Sequence, residues 1–588
     1  MKTSKDLYWQ NNQTPASRRF DDIYFSTDDG LMESRHVFLT GINAPEIWQN
    51  KARFTLLENG FGTGLNFIIA CQAWLKSTEP DAHLTYIATE KHPLNKADID
   101  RALSHWPELD AEKQALLNST PPQSAGFHQR HLFEGRITLL LLIGDSAAML
   151  NELDARVDAF YLDGFAPSRN PNMWSADVFS QLARLAAPSA KLASFTAAGF
   201  VRRGLSAHGF EMQKSPGFGK KRENLRGCYT GPTALDPKPW FNRPAPLAKD
   251  KKIALIGGGI AGMTTGLALQ KRGYQVIIYE QDGQPMNRAS GNPAGIIDPY
   301  LGGGPEGLFY RTALSHALDY YRALGPDIFL HKGLTKFPEQ AVPIHFPDCG
   351  AISPPAIRAA LSRALTIKTG QEIADISGLA DVVIICSGPD SLTFPETKGL
   401  TLDPVRGQIT LLNGEGCLTP PDRVLCGKGY LIPPVKINGK MTLLTGASFH
   451  RGDSATDIRD SDHQENLRNA HALWPGVDDL AITGGRSAVR AHSPDHLPLC
   501  GPLPDVAAYI TAYEMLKHGP KHRDFPPAPL LKNRYILSGL GARGFMTAPL
   551  MAEIITALIS GDALPVPRRL YESLHPARFL IRRLIKGR

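Results

Sequence analysis

At 588 residues the chain exceeds what one hydrophobic core usually supports, and its ordinary shares of hydrophobic (42%) and charged (21%) residues exclude wholesale disorder. No run approaches the ~18 consecutive apolar residues of a membrane helix, the N-terminus lacks the apolar stretch of a signal peptide, and seven scattered cysteines without a C-x-x-C pair exclude a zinc site or disulfide frame and suit a reducing cytoplasm. A net charge of +7 leaves a polyanionic partner open, because basic residues cluster at Arg202-Arg203, Lys220-Lys221-Arg222 and in the tail from Arg582 to Arg588.

In chain order, apolar runs predict a strand at Phe54–Leu57, a helix over Asn66–Leu75, and strands at Leu84–Thr89, Ile137–Ile143, Val157–Leu162 and Leu192–Thr196. This alternation implies a mainly parallel sheet covered on both faces. Residues 231–252 hold five prolines and no periodicity and read as a semi-stiff linker. The pattern then restarts as a βαβ unit: strand Lys252–Ile256, helix Ile260–Arg272, strand Gln275–Glu280. Further strands are predicted at Ala380–Cys386, Met441–Ala447 and Arg534–Ser538. A last helix is predicted over Thr547–Ser560, with Pro549 as an early residue.

Two glycine-rich turns of different type follow strands in the two halves. In the first, Gly60, Gly62 and Gly64 sit at alternate positions behind Glu58. Glycines there let the backbone pass close to a ligand. A preceding carboxylate suits a positively charged ligand such as S-adenosylmethionine. Glu90, at the end of the next strand, is placed to accept ribose hydroxyls, and Asp145, after a third, to read an adenine amino group. Asp163 closes a fourth strand, where a carboxylate can orient an amine and take its proton, although an Asp-Gly turn alone is equally consistent. Arg169 and Trp174 in the following loop suit a splayed nucleotide, with Trp174 equally suited to a core.

The runs DDIYFSTDDGLMESRHVFL, ENGFGTGLNF, FYLDGFAPSRNPNMW, SFTAAGFVRRGL and GFGKKRE, spanning most of 18–228, resemble the methyltransferase half of the bifunctional tRNA 5-methylaminomethyl-2-thiouridine biosynthesis family. The resemblance implies that Glu58, Gly60, Gly62 and Glu90 hold S-adenosylmethionine, that Asp145 lies against its adenine, and that Asp163 faces the amine acceptor. By their own chemistry, Arg169 and Trp174 are expected to meet a splayed tRNA base and the basic pair Lys220 and Lys221 its phosphates.

The second turn is a full G-x-G-x-x-G at Gly257, Gly259 and Gly262, with Glu280 ending the next strand as the ribose-binding acid. This fits FAD or NAD. The small-residue loop with Ser290, Gly291 and Asn292 and the returning segment with Gly541, Arg543 and Gly544 favour FAD. From about Lys251 to Asp562 the chain resembles flavoproteins of the glycine oxidase and D-amino acid oxidase type. That resemblance places Arg490 against a substrate carboxylate, which a guanidinium can bind bidentately, with Tyr430 as a weaker contact and Arg543 against the carboxylate or the flavin. The glycine-rich loop Asp298–Gly304 departs from the pattern of these oxidases.

The expected architecture is therefore α/β throughout: a Rossmann-like methyltransferase over 1–232, a linker over 233–250, and over 251–588 an FAD-binding Rossmann-type domain with an α+β substrate domain. The resemblance implies FAD-dependent removal of a carboxymethyl group from a tRNA wobble uridine. S-adenosylmethionine-dependent methylation of the freed amine follows. The expected partner is tRNA in the cytoplasm, with no metal and no membrane. Two rivals remain: a small-molecule amino acid oxidase fused to an unrelated methyltransferase, and a non-catalytic tRNA-binding scaffold.

Overall fold

A computed structural model describes residues 6–10, 14–219, 221–233, 238–339, 341–415, 417, 419–519 and 524–587. The chain forms two compact units, Met1–Pro237 with Ser560–Arg569, and Lys238–Ile559 with Leu570–Arg588. The first unit thus includes a late segment that a division at 232 and 251 leaves out.

The first unit is built on an eight-stranded sheet: β1 Arg53–Asn59, β2 His83–Glu90, β3 Gly126–Leu132, β4 Ile137–Ile143, β5 Val157–Leu162, β6 Ala186–Ser194, β7 Phe210–Pro216 and β8 Glu223–Tyr229, in the order β7-β8-β6-β5-β1-β2-β4-β3. The five central strands are parallel, and antiparallel strands close both ends. Successive residues of a strand face opposite sides. Accordingly Leu56, Tyr86 and Leu139 enter one apolar core, while their neighbours Leu57, Ile87 and Leu140 enter the other. Helix α1, Leu65–Ser77, follows β1 directly. Ala563 belongs to the second of these cores, and Leu564 donates its N–H to Asp154 O (3.0 Å), which seats the late segment on this unit.

The second unit carries a six-stranded sheet of β9 Lys252–Ile256, β10 Gln275–Tyr279, β11 Ile367–Lys368, β12 Val382–Ile385, β13 Leu499–Pro504 and β14 Leu530–Ser538, in the order β11-β10-β9-β12-β14-β13. It is parallel except for β13. Helix α2, Ile260–Lys271, links β9 to β10. A second, mixed sheet places strand Asp403–Asn413 between His450–Arg451 and Ile482–His492. The end of the proline-rich segment is not a free spacer: Trp240 is buried with Tyr509, Tyr513 and Leu580, and Leu247 N–H donates to Ile559 O (2.8 Å).

The last long helix, α3, runs from Gly544 to Ser560, so Pro549 lies inside it and not in its first turn. Proline removes the N–H that would bond to the carbonyl four residues back. Here that carbonyl, Phe545 O, accepts the Tyr321 hydroxyl instead (2.7 Å). With the turn before it, this helix is long and apolar enough to cross a membrane, but it is mostly buried, as a core helix is.

Candidate active sites

In the first unit, the carboxyl ends of β1, β2, β4 and β5 meet at one sheet edge and line a cavity of about 580 Å³, within the range of small-molecule sites. Gly60 (φ 111°) and Gly62 (φ 54°) both adopt left-handed backbone, and a Cβ on Gly60 would come within 3.2 Å of Asp163 O and Gly164 Cα. The turn therefore requires glycine for backbone conformation and for close passage beneath the cavity.

Glu90 lines the cavity, and its two oxygens accept the N–H groups of Gly62 (2.9 Å) and His92 (2.7 Å). A carboxylate has four lone-pair directions, so capacity remains for a ribose hydroxyl. Asp145 caps the helix that follows β4 and pairs with Lys91 (3.1 Å). Burial raises its pKa, but the bonds from Lys91 and the cap amides lower it more.

Glu58 is placed differently from expectation. It is buried behind the cavity wall, with its oxygens taken by Asn66 Nδ2 (2.7 Å) and the Tyr86 hydroxyl (2.8 Å). Burial and the nearby charge of Asp163 hold its pKa well above the usual carboxylate range. It supports Asn66 and does not present itself to a ligand. Asn66, at the start of α1, also donates to Asp163 Oδ2 (2.7 Å) and accepts from Ser34. Gly164 N–H donates to Asp163 Oδ1 (2.8 Å). Asp163 thus faces the cavity with a fixed orientation, and burial pushes its pKa up to about 6 against these hydrogen bonds and the charge of Lys221.

Lys221 lines the same cavity, pairs with Glu33 (2.9 Å) and lies 5.0 Å from the Phe195 ring centre; Lys220 lies outside the described residues. Trp174 is buried, donating from Nε1 to Phe165 O (3.2 Å), so it supports the loop and offers no face to a base. Arg169 pairs with Asp21 (2.8 Å) away from the cavity lining. The aromatic wall instead comes from Phe20, stacked on Phe165 at 4.8 Å, and Tyr24, edge-on to Phe165 at 5.1 Å. Sequence reading missed these rings because nothing local shows that a segment some 140 residues earlier folds over the β5 loop, although Asp22 does so by accepting Ala166 N–H (2.8 Å).

The second unit holds a cavity of about 1380 Å³ lined by Gly257, Gly259, Glu280, Ser290, Asn292, Tyr430, Arg490, Gly541, Arg543 and Gly544. Gly262 and Gly291 do not line it. A Cβ on Gly262 would collide with Gly257 O, and one on Gly291 would lie 2.7 Å from two carbonyls, so both serve backbone packing. A Cβ on Gly259 would meet only Ser290 Oγ, at 3.5 Å. The protein's own packing therefore leaves room there, where a dinucleotide fold passes its pyrophosphate over the helix N-terminus. Glu280 accepts from Gly258 N–H (2.7 Å) and Asp282 N–H (2.9 Å), with lone pairs to spare for a ribose. These residues fit FAD. Gly259→Val is expected to yield colourless protein that folds; an unchanged yield of bound flavin, measured by absorbance after denaturation, would refute the assignment.

Arg490 lies on the strand Ile482–His492 with its guanidinium over Gly407 of the adjacent strand, where any Cβ would collide with it. Among the described residues no carboxylate pairs with it. Burial lowers its pKa, opposed by Tyr430, and burial pushes the Tyr430 hydroxyl up to about 12. Arg543 lines the cavity but is engaged by Asp298 (3.1 Å), which also holds Lys336 (2.5 Å), and lies beside the rings of Tyr300 and Tyr310. The departing loop thus has a defined task at its first residue. Among the described residues no group of three His, Cys, Asp or Glu could hold a metal ion.

Comparison with known proteins assigns a family to each half of the chain. Residues 107–230 match the S-adenosyl-L-methionine-dependent methyltransferase family, and residues 252–341 and 330–558 match the FAD dependent oxidoreductase family. Glycine oxidase from Geobacillus kaustophilus superimposes with a TM-score of 0.43 at 19% identity, covering 53% of this chain and 94% of its own. The tRNA 5-methylaminomethyl-2-thiouridine biosynthesis bifunctional protein MnmC of Magnetococcus marinus is 37% identical over 99% of this chain and 97% of its own length. That of Pseudomonas aeruginosa is 37% identical over 99% and 98%. The chain belongs to the MnmC family of bifunctional enzymes, joining a methyltransferase to an FAD-dependent oxidoreductase.

Proposed function

We propose that the second unit removes the carboxymethyl group from a 5-carboxymethylaminomethyl wobble uridine of tRNA and that the first unit methylates the freed amine to give the 5-methylaminomethyl form. The observation that carries this reading is the complementarity of the two cavities. One presents a half-buried guanidinium without a carboxylate partner among the described residues, Arg490; the other presents an oriented carboxylate, Asp163. The substrate of the first step carries an acid, and its product is a primary amine.

Bound FAD supplies a two-electron acceptor, and bound S-adenosylmethionine supplies the methyl group. The protein's part is to bind, orient and move protons. Arg490 would grip the substrate carboxylate and fix the N–CH2 bond in place. Oxidation of that bond followed by hydrolysis releases the two-carbon fragment as glyoxylate and leaves the aminomethyl group. In the first unit Asp163, held by Asn66 and Gly164, would accept a proton from the amine as its nitrogen gains the methyl group. Exposed Arg202 and Arg203, on the helix Gly199–Ala207, suit the tRNA backbone.

The test is mass spectrometry of tRNA nucleosides after incubation with the FAD-loaded protein. Without S-adenosylmethionine the aminomethyl nucleoside should accumulate; with it, the methylaminomethyl nucleoside. Unchanged tRNA together with oxidation of free glycine would refute the reading.

A further inference from the structure

Phe449 is an exposed aromatic ring, 42% accessible, that lines the second unit's cavity. It is held in place and does not flap on a loose loop. The residues on either side are both tied to the buried carboxylate of Asp462: Ser448 donates to it (2.8 Å) while accepting Gln408 N–H (3.0 Å), and His450 Nε2 lies 3.1 Å from it. Arg406, fully buried, pairs with the same carboxylate. A side chain fixed by its neighbours yet left apolar and open to a cavity is pre-organised for a flat ligand.

Sheet register says which ligand. Val405 pairs with Arg451 on one side and Arg490 on the other, so the short strand His450–Arg451, which Phe449 directly precedes, and the strand carrying Arg490 flank a single strand. Two strand spacings are roughly 9–10 Å, and Arg490 crosses part of that distance by lying over Gly407. In the substrate of the proposed function, four bonds run from the carboxylate carbon through CH2, N and CH2 to the pyrimidine ring, roughly 5 Å. A carboxylate on Arg490 therefore sets the base within reach of Phe449. Beside the ring, the Arg451 guanidinium lies 5.9 Å from its centre and 3.3 Å from His496 Nε2.

We propose that Phe449 is the stacking platform for the wobble base in the oxidase site, with Arg451 facing the adjoining phosphate. The inference rests on the tRNA reading above and gives that site its selection for a nucleotide over a free amino acid. One stacked base is worth ~1–3 kcal/mol, and stacking contributes equally before and during the reaction, so it acts on KM more than on kcat.

The experiment compares full-length, FAD-loaded wild type, Phe449→Ala and Phe449→Trp on carboxymethylaminomethyl tRNA. Phe449→Ala should raise KM roughly tenfold or more with kcat little changed. Phe449→Trp should restore the wild-type KM, and its indole emission should be quenched when the RNA binds. Flavin content and the methylation of aminomethyl tRNA should be unaffected in both. A wild-type KM in Phe449→Ala would overturn the assignment, and so would loss of FAD from it, which would place the ring against the cofactor. If wild type itself fails to oxidise the tRNA while its flavin is reduced by free glycine, the tRNA reading falls and this inference with it.

Discussion

Asp163→Asn is expected to lower methylation by a factor between about 10² and 10⁴, the usual contribution of a positioned base, while flavin-dependent oxidation proceeds and the aminomethyl nucleoside accumulates. The amide is nearly isosteric and its oxygen can still accept from Asn66 or Gly164, so a loss of rate would report the lost proton acceptor. The same residue sets a pH dependence. With its pKa near 6, Asp163 is ionised at neutral pH and protonated below, so methylation should fall as pH drops through about 6. Stability moves the other way. Because the folded-state pKa lies above the ordinary carboxylate value, the native state binds the proton more tightly than the unfolded chain. This group's contribution is therefore most favourable below about pH 4 and declines as pH rises through 6. Asp163→Asn should accordingly melt no lower than wild type at pH 8, the comparison turning against it towards pH 4. A normal methylation rate in this variant would exclude Asp163 as the base.

Arg490→Ala should lose oxidation by roughly tenfold to a hundredfold and spare methylation, because only the oxidation substrate carries a carboxylate. A hydrogen bond to a charged group contributes ~1.5–3 kcal/mol, and each ~1.4 kcal/mol is about tenfold in rate. Arg490→Lys should recover part of the loss, since the ammonium keeps the charge but not the planar fork. Only protein that still holds FAD is informative. A wild-type rate in FAD-loaded Arg490→Ala would move the carboxylate to another cation lining the cavity, with Arg543 next in order despite its pairing to Asp298.

Elements and residues differ in how far the sequence alone discloses them. β4, β5 and β9 are found between the residues predicted for them, because buried parallel strands are continuous apolar runs bounded by glycine or charge. The turns at Gly60 and Gly257 were legible for the same reason: a ligand-bearing backbone needs glycine, and glycine is visible in a sequence. Contacts made across distant segments were not. Trp174 reads equally as platform or core until its burial is known, and Glu58 looks like a ligand until Tyr86 and Asn66 are seen to occupy it. The strands β3, β7 and β8, half exposed or at a sheet end, lack the unbroken apolar character that marks the centre. The placement of Pro549 inside α3 depends on a hydroxyl from Tyr321, more than two hundred residues earlier, which no local rule anticipates.

The late segment Ser560–Arg569, seated on the first unit, makes that unit a two-fragment object. Besides Leu564, Arg569 N–H donates to Glu152 (3.2 Å) and the Arg568 guanidinium donates to Asn151 O (3.2 Å). A protease nick between residues 233 and 238 should therefore give two bands on a denaturing gel but one peak in native gel filtration. The methyltransferase fold would remain completed by a peptide that belongs, covalently, to the other fragment. Expressed alone, residues 1–233 should be less soluble and melt lower than the nicked pair, since the place of Ala563 in that unit's core is left open to water. Separate elution of the fragments at micromolar concentration would show that the segment adds too little to hold them.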